Sequence, residues 1–313
     1  MKLSLVITVY NEEDNIAPMI RQVADALQGW DYEVIFVDDG SSDKTRENVK
    51  KFANEHVKMV ILNKNYGQTT AMAAGMDHAE GDYVVTLDGD LQNDPSDIPA
   101  MVKKLEEEDM DVVAGIRAKR KDGMLLRKVP SKIANAMIRK LTGVYLHDYG
   151  CTLKVFRKDI AQNLGLYGEL HRFIPVLAQL QGAQLAEMPV NHHPRIHGQI
   201  KYGLGRTFTV LSDLMLMVFL QKYLQRPMHL FGTAGILTFL SGAAISFYLL
   251  VIKIMGEEIG GRPLLILGIT LLLGGVQLIT IGLIAELIVR TYFEAQDKKT
   301  YRVKRVFVGE GKA

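Results

Sequence analysis

The sequence predicts an α/β protein, with a mostly parallel sheet carrying helices on both faces, then interfacial helices and a C-terminal hairpin of two transmembrane helices. Three observations lead to this prediction. Strand-like apolar runs alternate with helical patterns along the N-terminal part of the chain. Acidic residues directly follow several of those runs. Two long apolar stretches lie near the end of the 313 residues, which leave room for one α/β domain and a membrane appendage.

The strands are predicted from short apolar, β-prone runs. They are Leu3–Tyr10, Tyr32–Val37, Val57–Leu62, Tyr83–Leu87, Val112–Ile116 and Leu153–Phe156. Helical patterns lie between them at Glu13–Leu27, Asp43–Glu55, Thr69–His78 and Ile98–Glu107. This alternation indicates βα units and a largely parallel sheet, in which ligands bind outside the carboxyl ends of the strands.

Polar and acidic residues follow the first, second and fourth predicted strands. The three segments are Tyr10-Asn11-Glu12, Asp38-Asp39-Gly40-Ser41 and Asp88-Gly89-Asp90. Each segment alone also fits a simple turn or helix cap. Together they favour a nucleotide site in which a carboxylate pair holds a hard cation such as Mg²⁺ or Mn²⁺ on a diphosphate. The chain lacks the glycine-rich dinucleotide fingerprint and the GxxxxGK[ST] phosphate loop, which disfavours those two nucleotide-binding modes.

Two apolar stretches, Leu230–Ile254 and Leu264–Val289, are each long enough to cross a bilayer as a helix. Basic residues flank the pair on both outer sides, so the positive-inside rule places both ends in the cytosol. Thr207–Gln225 is apolar but interrupted by polar residues, which favours a helix lying at the membrane interface. Glycines repeat along both spans and allow close packing within the hairpin or between protomers, although glycine is also simply common in membrane helices.

The net charge is only +2, but basic residues crowd the stretch 117–140. Such a patch attracts phosphate, whether in nucleic acid, anionic lipid or a phosphorylated substrate. Because the patch precedes a membrane hairpin in the sequence, nucleic acid is disfavoured as its ligand. Within it, Ser131–Leu141 fits either an interfacial helix or an ordinary core helix with a basic face. The N-terminus is too short and strand-like for a signal peptide, so we expect the N-terminal domain in the cytosol.

The ordered motifs resemble a known family. They read VITVYNEEDNI, VDDGSSD, NKNYG, TLDGDLQNDP, DYGCTLKVFR, HRFIPVLA and HHPRIHGQIKYG. This set is similar to the polyprenyl-phosphate glycosyltransferases: the dolichyl-phosphate mannose synthases and the bacterial enzymes that load glucose or aminoarabinose onto undecaprenyl phosphate. The resemblance covers nearly the whole chain. It implies a GT-A-type fold and an inverting sugar transfer from a nucleotide-diphospho-sugar.

The resemblance also implies roles for residues on the donor side. Those implied to hold the nucleoside are Tyr10, Glu12 and Asp39. Those implied to serve the diphosphate and a Mg²⁺ or Mn²⁺ cofactor are Asp88, Asp90 and Gln92.

On the acceptor side, the residues that match positions near the lipid phosphate are Arg117, Arg127 and Ser131. Asp148 matches a carboxylate that acts as base or orients the sugar. Since a lipid monophosphate is already ionised, we expect Asp148 to orient a sugar hydroxyl or an arginine. Arg195 and Lys201 match a loop that closes over the phosphates, in which Ile200 replaces the usual Ser or Thr.

The expected organisation is a cytosolic catalytic domain at 1–205, an interfacial helix at 206–229, the hairpin at 230–289 (spans 230–254 and 264–289) and a cytosolic tail at 290–313. The expected reaction moves a hexose, with glucose as the first guess, from its UDP donor onto undecaprenyl phosphate at the cytosolic membrane face. A homo-oligomer, such as a tetramer, is compatible with the glycine repeats.

Two other functions stay open at this point. A membrane-anchored nucleotide-sugar sensor or scaffold would bind the donor without turnover. A processive polysaccharide synthase is disfavoured, because such enzymes carry a QxxRW motif and the single tryptophan here, Trp30, lies in no such segment.

Overall fold

The computed structural model describes residues 1–117, 138–140, 142–194, 206–223 and 226–295. Most of the predicted helix Ser131–Leu141 and the tail 296–313 lie outside these residues. The chain divides into two compact units, Met1–Leu214 and Met215–Ala313.

The first unit contains a seven-stranded sheet in the order β3-β2-β1-β4-β6-β5-β7. The strands are β1 Lys2–Val9, β2 Asp31–Asp38, β3 Val57–Ile61, β4 Tyr83–Asp88, β5 Val112–Arg117, β6 Lys154–Arg157 and β7 Leu185–Val190. All pairings are parallel except those of β6, which runs antiparallel to β4 and β5. The predicted mostly parallel sheet is therefore confirmed. Strand β7 was not predicted, because its half-exposed residues include a proline and a glutamate and show no apolar alternation.

The helices of the first unit are α1 Ile16–Ala26, α2 Thr45–Phe52, α3 Gln68–Asp77, α4 Ile98–Glu107, α5 Lys158–Gln162 and α6 Ile174–Leu180. Helix α7, Arg206–Tyr223, follows them and spans the boundary between the units. Apolar residues of α1 and α4 pack with Leu5 and Ile7 of β1 in one core cluster. Helix α3 covers the opposite face, where a Cβ on Gly75 would lie 2.9 Å from Val37. Helices therefore cover both faces, as predicted.

A buried carboxylate secures the end of the sheet opposite the strand carboxyl termini. Glu33 accepts hydrogen bonds from the Ser4 hydroxyl at 2.6 Å and the Glu80 backbone N–H at 2.9 Å. The Lys58 ammonium lies 2.7 Å from its other oxygen. Burial alone would raise the pKa of Glu33, but these three donors outweigh burial and lower the pKa to about 2.

The second unit contains α8 Pro227–Ile254 and α9 Pro263–Ala295. Both are long and apolar enough to span a membrane, over Pro227–Ile254 and Pro263–Val289. Only 17% and 11% of their most apolar windows are buried, unlike the core helices of a soluble protein. These helices match the predicted spans, whereas the predicted topology relative to the membrane stays a prediction.

Glycines bring α8 and α9 into backbone contact. A Cβ on Gly242 would lie 2.6 Å from the backbone nitrogen of Leu272, and one on Gly235 would lie 2.8 Å from the Gly275 carbonyl oxygen. In the reverse direction, a Cβ on Gly275 would lie 2.6 Å from Phe239. Close approach of this kind strengthens van der Waals packing between membrane helices. Of the alternatives left open by the sequence, the structure therefore selects packing within the hairpin for these glycines.

A carboxylate on α9 also binds the start of α8. The Glu286 side chain accepts a hydrogen bond from the Met228 backbone N–H at 3.4 Å. Met228 lies in the first turn of α8, where backbone N–H groups have no partner within the helix. A negative charge at this position also interacts favourably with the helix dipole.

Candidate active site

The carboxyl ends of β1, β2 and β4 lie side by side. Thr8 pairs in register with Asp88, and Val9 pairs with Asp38. The Asp39 N–H donates to the Val9 carbonyl at 2.9 Å, which carries the pairing past the end of β2. The three polar strand ends singled out in the sequence therefore meet at one edge of the sheet.

The close packing of β4 on β1 explains the glycine between the two acidic residues. A Cβ on Gly89 would lie 2.6 Å from the Val9 side chain and 3.0 Å from the Thr8 carbonyl oxygen. Leu91 follows in the left-handed region, with φ 61°, a conformation that costs free energy for a residue other than glycine. The chain thus turns sharply just after the carboxylate pair.

Neighbouring side chains hold the Asp88 carboxylate from both sides. The Gln68 amide, at the start of α3, donates to one oxygen at 2.5 Å. The Thr152 hydroxyl, just before β6, donates to the other oxygen at 2.5 Å. Because a carboxylate has about four acceptor positions, Asp88 keeps the capacity to bind a cation in this arrangement.

Burial and the charge of nearby Asp90 raise the pKa of Asp88 to about 6, whereas the Thr152 hydrogen bond lowers it. Two carboxylates this close repel each other, and a divalent cation relieves that repulsion. Among the described residues, no group of three or more His, Cys, Asp or Glu side chains forms a closed metal site. The donor set instead fits Mg²⁺ or Mn²⁺ held by one or two carboxylates and completed by substrate phosphates.

The loop after the carboxylate pair is tied to a second segment. The Gln92 N–H donates to Asp90 at 3.2 Å, and the Gln92 carbonyl accepts from the His193 N–H at 2.8 Å. The His193 ring lies 3.0 Å from an Asp94 oxygen. His193 lies just before the stretch that carries Arg195 and Lys201. These bonds therefore join the loop after Asp90 to the residues that precede that stretch.

The residues expected to hold the nucleoside lie at the ends of β1 and β2. Both oxygens of Asp39 accept backbone N–H groups, from Tyr66 at 2.7 Å and Gly67 at 2.9 Å, at the entry to α3. Glu12 accepts from the Asn15 amide at 2.5 Å. Tyr10 is half-buried directly after β1. The structure therefore brings these residues to the same sheet edge as Asp88.

Arg117 and Asp148 form a two-pronged ion pair. The guanidinium Nε lies 2.6 Å from Asp148 Oδ2, and Nη2 lies 2.8 Å from Oδ1. The Gly150 N–H donates to Asp148 at 3.0 Å, and a Cβ on Gly150 would lie 2.8 Å from the guanidinium. Glu187 of β7 accepts from the His147 N–H at 2.7 Å and so anchors the turn before Asp148. Asp148 is thus paired with an arginine in the structure, whereas its role in the reaction stays a prediction.

Several residues of this site were not predicted. Gln68 and Thr152 contact Asp88 from elements distant in sequence, and Glu187 lies on the unpredicted strand β7. Thr152 stands within the quoted DYGCTLKVFR motif, which was the one available signal. Four residues expected at the site lie outside the described residues: Arg127, Ser131, Arg195 and Lys201.

Comparison with known proteins identifies relatives of this chain. Residues 4–165 match the family model described as glycosyl transferase family 2. The dodecaprenyl-phosphate galacturonate synthase of Rhizobium johnstonii is 44% identical over all of this chain and 95% of that protein. The undecaprenyl-phosphate 4-deoxy-4-formamido-L-arabinose transferase of Yersinia enterocolitica is 35% identical over 99% of this chain and 94% of that protein.

Solved structures share the fold at low sequence identity. The glucosyl-3-phosphoglycerate synthase of Mycobacterium tuberculosis, crystallised with Mn²⁺, UDP and phosphoglyceric acid, superposes with a TM-score of 0.54 and 17% identity, over 70% of this chain and 78% of that one. A mycobacterial protein gives a TM-score of 0.54 and 17% identity over 70% of this chain and 74% of that one.

These matches confirm the GT-A-type fold, and the two apolar helices make the chain a membrane protein. The chain belongs to glycosyl transferase family 2 and, within it, to the polyprenyl-phosphate glycosyltransferases that its motifs resemble.

Proposed function

We propose that this enzyme is a metal-dependent inverting transferase that moves a hexose-derived sugar from its UDP donor onto a polyprenyl phosphate at the cytosolic face of the membrane. The observation that carries the proposal is the meeting of three acidic strand ends at one sheet edge, where Gln68 and Thr152 hold Asp88, the first carboxylate of the Asp88–Asp90 pair. A diphosphate bridged by a divalent cation suits this arrangement.

On the donor side, Tyr10, Glu12 and Asp39 are proposed to contact the nucleoside. Asp88 and Asp90, with Gln92 beside them, would hold Mg²⁺ or Mn²⁺ on the diphosphate. The metal would supply positive charge that stabilises the departing diphosphate. Gln68 and Thr152 keep the Asp88 carboxylate in place, so that little reorganisation is needed when the donor binds.

On the acceptor side, the lipid phosphate is already an anion and needs charge compensation more than deprotonation. Arg117 is proposed to supply that compensation, with Asp148 fixing the plane of its guanidinium. Nε and one Nη2 hydrogen of Arg117 point to Asp148, which leaves other N–H groups of the guanidinium for a phosphate. Arg127, Ser131, Arg195 and Lys201 stay proposed phosphate ligands on the sequence match alone.

Glucose stays the first donor predicted from the sequence. The name of the relative that is 44% identical favours galacturonic acid as a second donor, and dodecaprenyl phosphate as a second acceptor beside undecaprenyl phosphate. The basic residues flanking the hairpin support the cytosolic placement of both ends. A homo-oligomer is also proposed, through surfaces other than the glycines that pack α8 against α9.

A transfer assay tests the proposal. Purified enzyme in nanodiscs is given a polyprenyl phosphate, MnCl₂ or MgCl₂, and radiolabelled UDP-glucose, UDP-galacturonic acid or related donors. We expect label in the lipid from one donor, lost on chelation with EDTA and in Asp90→Asn. Anomeric analysis of the product by NMR tests inversion.

The same assay separates the alternatives. Donor binding without transfer from any nucleotide sugar would contradict the proposal and favour the sensor or scaffold. A ladder of products carrying several sugars would favour a processive synthase.

A further inference from the structure

Lys154 is a buried lysine that the proposed mechanism does not use. It lies on β6, between Thr86 of β4 and Ala114 of β5, and is 2% exposed. Among the described residues its ammonium makes one hydrogen bond, to the Cys151 carbonyl, and no ion pair. Because an ammonium has three donor hydrogens, this lysine is poorly satisfied for a buried cation.

Stability does not explain this lysine. Removing an ammonium from water is costly unless hydrogen bonds and an opposite charge compensate, and replacing such groups by apolar ones is often neutral or stabilising. Burial and, to a lesser extent, the charge of Arg117 lower the pKa of Lys154, whereas Cys151, Asp148 and Asp88 oppose that change. The ammonium therefore lies within electrostatic reach of both carboxylates of the site while pairing directly with neither.

Within the part of the chain that the structure describes, the group bound by the ammonium lies in a segment that contacts both parts of the site. This segment, 150–153, is called here the β6 lead-in. Its Thr152 donates to Asp88, while the Thr152 carbonyl accepts from Thr86 at 2.6 Å. Its Gly150 binds Asp148 and packs under the Arg117 guanidinium. A bond from Lys154 to the Cys151 carbonyl, in the middle of the lead-in, fixes the backbone from which both contacts are made.

We propose that Lys154 is a positioning residue of the donor site, which holds the β6 lead-in against Asp88 and places a buried positive charge beneath the bound diphosphate. This inference rests on the proposed function, because it assumes a metal–diphosphate at Asp88 and Asp90. The charge lowers the electrostatic cost of bringing two carboxylates and a diphosphate together. The residue acts through its neighbours and contacts no reacting atom.

The test compares Lys154→Met, which keeps the length of the side chain and removes the charge, with Lys158→Met as control. Lys158 is a half-buried lysine whose ammonium binds the Glu80 carbonyl at the opposite end of the sheet. For each full-length protein in detergent, calorimetry measures UDP affinity with and without MnCl₂, and thermal unfolding gives Tm. Transfer kinetics give KM for the polyprenyl phosphate separately.

We expect Lys154→Met to keep or raise Tm and to weaken Mn²⁺-dependent UDP binding about tenfold, as for other groups that position metal ligands. KM for the lipid is expected to rise less than UDP affinity falls, because the lead-in reaches the acceptor-side Asp148 only through the Gly150 N–H, and Lys158→Met is expected to match the wild type. UDP affinity within about twofold of wild type would overturn the inference, as would a fall in Tm of more than about 5 °C, because the ammonium would then serve the fold. Wild-type protein without Mn²⁺-dependent UDP binding would instead overturn the proposed function.

Discussion

The hydroxyl of Thr152 offers a sharp test of how Asp88 is held. Thr152→Val replaces the side chain by one of nearly the same shape and removes only the donor that lies 2.5 Å from Asp88 Oδ2. The Gln68 amide continues to hold the other oxygen. The substitution therefore changes the orientation and charge environment of one carboxylate while leaving the surrounding packing in place.

The size of the effect follows from the geometry. A hydrogen bond to a charged group contributes about 1.5–3 kcal/mol, so a loss of about 2 kcal/mol corresponds to roughly 30-fold in an equilibrium constant. Loss of partners that orient metal ligands typically costs about 10- to 100-fold in metal affinity or activity, which is the same range. We expect the Mn²⁺ concentration for half-maximal transfer to rise roughly 30-fold.

The pH dependence has a defined sign. The Thr152 hydrogen bond lowers the pKa of Asp88, which burial and Asp90 raise to about 6. Without that bond the pKa rises further, so more Asp88 is protonated near pH 6 and less metal binds. The defect of Thr152→Val should therefore shrink as the pH is raised from 6 to 8.

Transfer rates measured against MnCl₂ concentration at several pH values check both expectations. Thr238→Val is the control, because the Thr238 hydroxyl donates to the Ala234 carbonyl within its own helix. A half-saturating Mn²⁺ concentration within about twofold of wild type, in folded Thr152→Val, would refute the idea that Thr152 positions a metal ligand.

Three further outcomes are expected. The pKa of Glu33 is about 2 in the folded protein against 4.5 ordinarily, so its stabilisation, about 3 kcal/mol, is present above pH 4.5 and is lost as the pH falls toward 2. The free energies of unfolding of wild type and Glu33→Gln, measured with urea, should accordingly converge at low pH. A difference between them that stays constant with pH would contradict this. Gly242→Val should lower the Tm of the detergent-solubilised protein by forcing α8 from α9. Gly274→Val should not, because a Cβ on Gly274 would meet no atom of another described segment within 4 Å, and equal losses of Tm would argue against the packing role. Arg117→Lys loses the two-pronged contact with Asp148 and should raise KM for polyprenyl phosphate about tenfold with little change in KM for the donor, and a change in the donor KM alone would speak against an acceptor role.

Much of the fold was predictable because it depends on local patterns. The six predicted strands and four predicted helices of the first unit are all present, with ends shifted by a few residues. Apolar runs followed directly by turn residues and carboxylates identified strands β1, β2 and β4 together with their polar ends. Strand β7 gave no such signal, because it lies at the edge of the sheet with half-exposed residues.

The site was predictable only in part, because its contacts join residues far apart in sequence. Asp88 and Asp148 were each identified from their own motifs. Nothing in those motifs indicated that Gln68 and Thr152 hold Asp88, or that Asp148 accepts two hydrogen bonds from the Arg117 guanidinium. Likewise, the glycine repeats allowed two kinds of helix packing, and only the paired positions of Gly242 and Leu272 distinguished them.

By itself, the sequence determined the α/β class, the acidic strand ends, the two apolar spans and the family. These depend on residue type, spacing and periodicity, which are properties of short stretches of chain. Only the tertiary structure decided which groups hold Asp88, that Asp148 pairs with Arg117, that Lys154 is buried, and that the glycines pack within the hairpin. The physical reason is that hydrogen bonds and close packing depend on distances of a few ångströms between distant segments, and the fold alone sets those distances.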